Sequence, residues 1–165
     1  MTELSGQGER DGRAVSEFVE RFASLLMQLG FPRMPARVFV ALMATDSARL
    51  TAGELAGQLQ VSPAAISGAV RYLDQIDLVS REREPGSRRD FYRVRDDVWY
   101  EMMVRRLQVM ERWNTLLREG VEAVGAGSPA GERLTETIDF FDFLSKEMPI
   151  ALAGWQARRR AERAD

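Results

Sequence analysis

Apolar side chains near the start of the chain recur at helical spacing. They follow one another at intervals of three and four positions, at Val15, Phe18, Phe22, Leu25 and Leu29. Because this spacing places the side chains on one stripe, it predicts an amphipathic helix. Gly30 and Pro32 are expected to end the helix, since glycine suits the position after a helix terminus and proline prevents simple continuation.

The middle of the chain has the pattern of two short capped helices. Thr51 is followed three positions later by Glu54, a capping box in which each side chain satisfies a free amide at a helix start. Ser62 and Pro63 fit the N-cap and the first turn of a second helix. The apolar stripe of that helix consists of Ile66, Val70 and Leu73. Two capped helices joined by a tight turn predict a helix-turn-helix.

Two strands and a turn follow directly. Residues 79–83 and 90–94 have the pattern of strands, and Pro85-Gly86 between them is a strong turn signal. They predict a β-hairpin that carries Arg88 and Arg89 at or near its tip. A helix-turn-helix followed at once by such a hairpin predicts a winged helix. Adjacent arginines repel each other, whereas the negative potential of a narrow minor groove would attract them.

The C-terminal part predicts two further helices, each with a broad apolar face. The first helix carries one stripe at heptad spacing, which consists of Met103, Leu107, Met110, Asn114, Leu117, Val121 and Val124. A second apolar stripe beside it consists of Trp99, Met102, Val109, Trp113 and Leu116. After a break at 125–129, the last helix includes Phe141 and Trp155, and Pro149 is expected to kink or split it.

These helices are expected to form a dimer. A small winged domain has too little surface to bury them, so a C2 dimer through the first and last helices is predicted. The predicted dimer contacts are Phe18, Phe22, Leu25, Leu107, Met110, Asn114, Leu117, Phe141 and Trp155. A lone polar residue at a seam position, here Asn114, can fix the register. A monomeric helical bundle is the alternative.

Composition narrows the classes of function. The chain contains no cysteine and no histidine, which excludes thiolate zinc sites, cysteine nucleophiles and Ser-His-Asp catalysis. No glycine-rich phosphate loop or metal motif is present. Asp139 and Asp142 share a helix face, and a solvated side of the helix explains them better than catalysis does. We therefore predict no enzymatic activity, no cofactor and no metal.

The charge is sorted along the chain. A net charge of −2 conceals +3 over residues 31–95, between −2 over residues 1–30 and −3 over residues 96–165. Lys146 is the single lysine, so the other 22 basic residues are arginines. Arginine suits phosphate and guanine recognition, although genome-wide base composition produces the same bias. An electropositive centre between acidic flanks is consistent with nucleic-acid binding by the winged helix.

The candidate DNA contacts lie on the second helix of the helix-turn-helix and on the wing. Small side chains on the exposed side of a helix allow it to enter a major groove about 12 Å wide. Ser67 can bond phosphates or base edges, Ala64 can contact a thymine methyl, and Arg71 can reach a phosphate or a guanine. The full predicted set is Thr51, Ser62, Pro63, Ala64, Ser67, Arg71, Ser87, Arg88 and Arg89. An ordinary helical hairpin with a small-residue packing face is the alternative.

Several short motifs are typical of one family. They are Leu50-Thr51, Glu54-Leu55-Ala56, Val61-Ser62, Ile66-Ser67, Leu78-Val79 with Arg81, and Pro85-Gly86-Ser87-Arg88-Arg89-Asp90. Over residues 14–125 the chain resembles the MarR superfamily of bacterial transcriptional regulators. Gly30-Phe31-Pro32-Arg33 and the Ser-Arg-Arg wing are similar to its GbsR-like branch. Gly68 departs from the family, where larger or basic residues are common.

The resemblance implies a homodimeric winged-helix repressor or activator on a pseudo-palindromic operator, with release by a small-molecule effector as a further option. Aromatic side chains suggest an effector pocket between the winged domain and the dimer helices, lined by Trp99, Met103, Trp113 and Phe140. Such residues are otherwise ordinary core. A winged-helix protein-interaction module without specific DNA binding is the second hypothesis for function.

The predicted fold is mainly α with a small β-hairpin, a winged helix-turn-helix with N- and C-terminal dimerisation helices. Residues 1–13 are interpreted as a disordered lead-in, 14–30 and 96–165 as the helical dimerisation region, and 31–95 as the DNA-binding domain. No apolar signal core or transmembrane stretch stands out, so a cytoplasmic location without membrane contact is expected.

Overall fold

The computed structural model describes residues 12–83 and 89–163. In chain order, the helices and strands are α1 (Gly12–Gln28), α2 (Arg33–Met43), β1 (Arg49–Thr51), α3 (Ala52–Leu59), α4 (Pro63–Gln75), β2 (Val79–Arg83), β3 (Asp90–Val94), α5 (Val98–Val124) and α6 (Pro129–Glu162). The chain divides after Val98 into two compact units. We call them the winged unit, up to Val98, and the helical unit, from Trp99 onward.

The first two helices begin and end for the predicted reasons. Gly30 has a φ of +93° after α1. The amides of Gly30 and Phe31 bond back to the carbonyls of Met27 and Leu26. This is the left-handed C-terminal arrangement that glycine favours. Pro32 then occupies the N-cap of α2 in an extended conformation, so the chain turns before the second helix begins.

The helix-turn-helix has both predicted caps. The capping box of Thr51 and Glu54 is present at the start of α3. Gln60, in the left-handed conformation with φ of 53°, follows the end of that helix. The Ser62 hydroxyl then accepts a hydrogen bond of 3.3 Å from the Ala65 amide, with Pro63 as the first residue of α4. Local chemistry thus fixes the turn between α3 and α4.

A three-stranded antiparallel sheet completes the winged unit, in the order β1-β3-β2. Strands β2 and β3 occupy the predicted residues 79–83 and 90–94. Strand β1 has no counterpart among the predicted elements, because three residues are too few for a visible alternation of apolar and polar side chains. β1 forms by pairing with β3, with Leu50 opposite Tyr92. The mainly α winged-helix fold is therefore confirmed, with one strand more than the predicted hairpin.

The core of the winged unit is formed by α2, α3, α4 and the base of the sheet. Its fully buried large side chains include Phe39, Leu42, Leu55, Ile66, Leu73, Leu78 and Val79. Helix α1 packs on α2 through Val19, Ala23 and Leu26. Phe18 and Leu25 belong to the stripe that predicted this helix. They lie elsewhere on its surface, where Phe18 is 49% exposed and Leu25 is 55% exposed. Helix α1 therefore has two apolar faces, of which the chain itself buries one.

In the helical unit, α5 and α6 form a hairpin with a tight turn. Gly125, at φ of +85°, follows α5, and the Ser128 hydroxyl caps α6 by accepting a 3.0 Å hydrogen bond from the Gly131 amide. A Cβ on Gly131 would lie 2.2 Å from the Gly125 carbonyl oxygen, so only glycine fits there. Helix α6 continues through Pro149 to Glu162, so the predicted split does not occur.

Two predicted boundaries are affected by the described range. Residues 12 and 13 belong to α1, so the predicted lead-in of residues 1–13 was too long by these two. Residues 1–11 lie outside the described residues, as do 84–88, which include Ser87 and Arg88 of the predicted DNA-contacting set. The helix predicted to begin near Asp96 or Asp97 starts at Val98, after Asp97 in a left-handed conformation with φ of 59°.

Candidate nucleic-acid interface

Helix α4 presents one apolar and one small, polar side. Ile66, Ala69, Val70 and Leu73 are buried against the core. The opposite side is exposed and includes the predicted contacts Ser62, Pro63, Ala64, Ser67 and Arg71, together with Gly68. Because the buried stripe anchors the helix, these exposed side chains are held on a rigid element. The geometry is that of a helix able to insert its N-terminal half into a groove.

Strands β2 and β3 form the stem of the wing, which we call the wing stem. One of its faces brings arginines together with a carboxylate. Arg81 lies opposite Tyr92 in the register of β2 and β3, and Arg83 lies opposite Asp90. Successive side chains alternate between the two faces of a strand, so these four share one face. The Arg81 guanidinium donates a hydrogen bond to Asp90, and Arg83 donates another of 3.3 Å.

These bonds change the titration of the stem. The pKa of Asp90 is lowered chiefly because Arg81 donates a hydrogen bond to its carboxylate, with Arg83 adding a smaller contribution. The pKa of Arg81 is raised by the same bond. Asp90 therefore stays ionised and keeps both guanidinium groups near the stem. The wing stem combines two cationic side chains with one anionic partner.

The other arginines of the wing region also have partners. Arg49 lies over the Phe91 ring, with 5.0 Å from its guanidinium carbon to the ring centroid. Arg95 is 3.2 Å from Asp77, and Arg93 is 3.9 Å from Glu82. Such exposed pairs contribute little stability, and their charges remain available to a polyanion. The electropositive centre predicted from the sequence is thus a set of arginines interleaved with carboxylates.

Two clefts adjoin the wing stem, and Tyr92 lines both. One, of about 180 Å³, lies between α4 and the hairpin and is lined by Ser67, Val70, Arg71, Asp74, Arg81 and Tyr92. The other, of about 500 Å³, lies between the start of α3 and the hairpin and is lined by Thr51, Ala52, Gly53, Glu54, Arg89, Asp90 and Tyr92. The predicted contacts Thr51, Ser67, Arg71 and Arg89 therefore lie on one connected surface around Tyr92.

The Thr51 side chain, like the N-cap hydroxyl of Ser62, is engaged within the chain. Its hydroxyl is 2.8 Å from a Glu54 carboxylate oxygen and also accepts a bond of 3.2 Å from the Glu54 amide. The Thr51 amide donates to the same carboxylate at 2.7 Å. These bonds lower the pKa of Glu54, first through the Thr51 backbone and then through its hydroxyl. Thr51 thus acts chiefly as a helix cap.

Sequence reasoning missed Arg37, which connects three elements of the winged unit. Its guanidinium donates to Glu20 on α1 at 2.7 Å and to the Leu59 carbonyl at the end of α3 at 3.1 Å. Only 14% of its side chain is exposed. The available signal was an arginine between Ala36 and Val38 in an otherwise apolar helix. Arg37 satisfies a terminal carbonyl of α3 and ties α1 to the helix-turn-helix.

The predicted dimer contacts fall into two groups. Phe18 and Leu25 are exposed on α1, and the Phe18 ring lies tilted against the Phe22 ring, with centroids 5.8 Å apart. In the helical unit Leu107, Met110, Leu117 and Phe141 are partly buried, whereas Trp155 is exposed. Asn114 is 7% exposed and donates to Asp142 of α6 at 2.6 Å. The asparagine predicted at a seam with a partner helix therefore bonds within its own chain.

The predicted effector residues are all exposed. Trp113 and Phe140 each lie close to Phe141, with ring centroids 5.8 Å and 5.7 Å apart. Trp113 also lines an apolar concavity of about 400 Å³ within the helical unit, together with Leu116, Leu117, Gly120, Leu134, Thr137 and Phe141. Trp99 and Met103 are 47% and 39% exposed and do not line this concavity. Two of the four predicted residues are thus gathered around Phe141.

Two searches of the described residues bear on other classes of site. In the ranges 12–83 and 89–163, no cluster of three or more aspartate, glutamate, histidine or cysteine side chains could hold a metal ion. Among the helices in those ranges, none has the length and apolar character needed to cross a membrane.

Comparison with known proteins gives two family matches on different parts of the chain. A model described as the MarR family matches residues 29–90. A model described as an MmpR5-like MarR family transcriptional regulator matches residues 97–158. The HTH-type transcriptional regulator MmpR5 of Mycobacterium tuberculosis is 27% identical over 145 residues, which cover 87% of this chain and 88% of that protein.

A solved structure resembles the chain over most of its length. The crystal structure of a transcriptional regulator aligns with a TM-score of 0.72 and 26% sequence identity. The alignment covers 87% of this chain and 99% of the other. The similarity includes the winged unit and extends into the helical unit.

Proposed function

We propose that this chain is a member of the MarR family of transcriptional regulators, an assignment that the two family models and the mycobacterial relative support. Within that family it acts as a homodimeric, sequence-specific DNA-binding regulator. Helix α4 enters the major groove, and the arginine wing contacts the adjacent minor groove. The single observation that carries this proposal is the exposed side of α4, where small and polar side chains stand beside the wing arginines. The proposed DNA-contacting set remains the one predicted from the sequence.

The chemistry of the exposed side of α4 suits base recognition. Ala64 has only a methyl group, which can contact the methyl of thymine. Ser67 has a hydroxyl that can donate or accept, so it can bond a base edge or a phosphate. Gly68 leaves space for close approach of the helix to the floor of the groove. A helix with bulky exposed side chains at these positions would be held away from the bases.

The apolar surfaces left exposed by the chain support the homodimer. Leu25 on α1 and Leu116 on α5 are 55% and 64% exposed, and both belong to longer apolar stripes. Contiguous exposed apolar surface of this kind marks an interaction site. A second copy is the occupant we propose, because a C2 dimer presents two helix-turn-helix motifs to two half-sites one helical turn apart.

Two finer assignments belong to the same proposal. Aromatic side chains around Phe141 provide an apolar surface for a flat or cationic effector, which makes a ligand response testable. The Gly30-Phe31-Pro32-Arg33 segment and the Ser-Arg-Arg wing support assignment to the GbsR-like branch.

The direct test is fluorescence anisotropy with duplexes selected by the full chain from a random-sequence library. We expect one duplex to bind much more tightly than a scrambled duplex of equal composition. Its affinity should fall steeply with salt, because lysine and arginine contacts to phosphates release counterions. Equal, weak affinity for every duplex would contradict the proposal and favour the protein-interaction module.

The wing is tested by a double substitution with a matched control. Arg88→Ala with Arg89→Ala should weaken binding to the selected duplex while the dimer persists in sedimentation. Arg112→Ala with Arg133→Ala removes the same charge from the exposed surface of the helical unit and should change DNA binding little. If both double variants weakened binding equally, net charge and not the wing would be responsible.

A further inference from the structure

The smaller cleft beside the wing stem joins the two DNA-reading elements. Ser67, Arg71 and Asp74 line it from α4, and Arg81 and Tyr92 line it from β2 and β3. When a recognition helix lies in the major groove and a wing lies in the minor groove, the sugar-phosphate backbone that separates the two grooves must pass between them. The cleft occupies that position in the winged unit.

The side chains of the cleft differ in how far they are engaged. Asp90 holds the Arg81 guanidinium, so this charge is partly neutralised. Across the described ranges 12–83 and 89–163, by contrast, the Arg71 side chain has no ion pair or hydrogen bond. Arg71 is therefore the cation of this cleft that an anion can bind without displacing a carboxylate. Charge-assisted bonds from arginine to phosphate are among the strongest hydrogen bonds available at a surface.

The remaining lining groups fit an oxyanion as well. The Tyr92 phenol and the Ser67 hydroxyl can each donate a hydrogen bond. Asp74 is an acidic group that opposes the binding of any anion, because like charges repel. The cleft thus combines one available guanidinium, two hydroxyl donors and one carboxylate that limits its affinity.

We propose that this cleft seats a phosphate of the DNA backbone, which Arg71 binds with help from Tyr92 and Ser67. Arg71 then fixes the position of the protein on the duplex and does not read a guanine. Asp74 weakens binding to all duplexes alike, which keeps non-specific affinity low. The proposal rests on the proposed function, since it assumes that α4 and the wing contact one duplex.

Salt-dependent anisotropy with the selected and scrambled duplexes tests this assignment. Arg71→Ala should weaken binding to both duplexes by the same factor, roughly three- to tenfold. It should also reduce the slope of log affinity against log salt by about one, as expected for the loss of one phosphate contact. Tyr92→Phe should give a smaller loss, again equal for both duplexes.

Two further variants sharpen the result. Asp74→Asn should tighten both duplexes equally, because it removes the repulsion without adding a base contact. Arg133→Ala, an exposed arginine of the helical unit, is the charge-matched control and should leave both affinities and the salt slope unchanged.

The outcomes separate the phosphate seat from the proposed function. If Arg71→Ala lowered the ratio of selected to scrambled affinity, Arg71 would be reading a base, and the proposed phosphate-binding role of the cleft would be refuted. An unchanged affinity for both duplexes would also refute it. If the unaltered chain itself failed to discriminate between duplexes, the proposed function would fail, and the assignment of Arg71 with it.

Discussion

The two units of the chain differ in how much of their apolar surface they bury. In the winged unit, Phe39, Leu42, Leu55, Ile66 and Leu73 are fully buried. Among residues 99–163 of the helical unit, Ile138 is the single hydrophobic side chain classed as buried. Large apolar residues of that unit stay exposed instead, including Trp113, Leu116, Phe140, Phe143, Ile150 and Trp155. The winged unit thus has a buried core, whereas the helical unit leaves most of its large apolar side chains at least partly exposed.

The difference follows from architecture. A compact arrangement of four helices and a sheet surrounds its apolar core residues on all sides. Two helices in a hairpin can bury only the stripe that each turns toward the other, so a helix with two apolar stripes leaves one exposed. The winged unit is expected to depend on its own packing for stability, and the helical unit on association.

The largest expected effect contrasts two phenylalanines, one from each unit. Phe39→Ala should lower the free energy of unfolding by about 3–5 kcal/mol, because it leaves a cavity in a fully buried site. Phe143→Ala, at a residue that is 58% exposed, should change it by about 0.5 kcal/mol or less at concentrations where the chain is monomeric. Urea denaturation measures both. Equal losses would abolish the contrast between the units.

The next effect concerns association. Leu116→Asp should reduce the free energy of dimer association by about 1.5–3 kcal/mol per subunit, because the burial of one leucine side chain contributes that much. The loss should be larger if the new charge is also buried. Sedimentation over a range of concentrations should then give monomer where the unaltered chain gives dimer. Gln108→Asp introduces the same charge at an exposed polar position of α5 and should leave the dimer intact. An unchanged dimer in Leu116→Asp would show that this stripe has no partner.

A smaller effect tests Gly131 of the helical unit, where a Cβ does not fit. Gly131→Ala should lower the free energy of unfolding by about 1–3 kcal/mol, because the new Cβ would overlap the Gly125 carbonyl oxygen and force the α5–α6 turn apart. Gly127→Ala, with open space around its Cβ, is the control and should be nearly neutral. Thermal unfolding followed by circular dichroism measures the difference. A neutral Gly131→Ala would mean that the turn adapts easily.

The smallest effect concerns the capping box of the winged unit and its dependence on pH. Thr51→Ala should cost about 1 kcal/mol through the lost N-cap. The pKa of Glu54 is lower in the folded chain than its ordinary value of 4.5. The contribution of its carboxylate to the free energy of unfolding is therefore fully present above pH 4.5 and is lost as the pH falls through the lowered pKa. The stability difference between the unaltered chain and Glu54→Gln should therefore shrink in acid. A difference that grew in acid would contradict this assignment.

The sequence predicted those elements that have local chemical signals. The caps at Thr51 and Ser62, the helix end at Gly30 and strands β2 and β3 all appear where they were expected, because each rests on residues close together in the chain. It failed for β1, which exists through pairing with β3, and for Arg37, whose partners are 17 and 22 residues away. Both depend on contacts that spacing alone cannot reveal.

The candidate nucleic-acid interface was likewise predictable where one helix or strand decides it, and not where two elements meet. The exposed side of α4 followed from its buried stripe, since a helix has a fixed period. The pairing of Arg81 and Arg83 with Asp90 depends on the register of the hairpin. The bond from Asn114 to Asp142 was not predicted, because it depends on how α6 folds back along α5, and the dimer role of Asn114 stays a prediction.

By itself, the sequence determined the winged-helix order of elements, the absence of histidine and cysteine chemistry and the concentration of positive charge between residues 31 and 95. Tertiary structure alone decided which of two apolar stripes on α1 is buried, which arginines are held by carboxylates and which is left available in the cleft. Periodicity fixes which residues share a face of a helix or strand. Only packing decides what that face meets, because burial and ion pairing depend on residues distant in the chain.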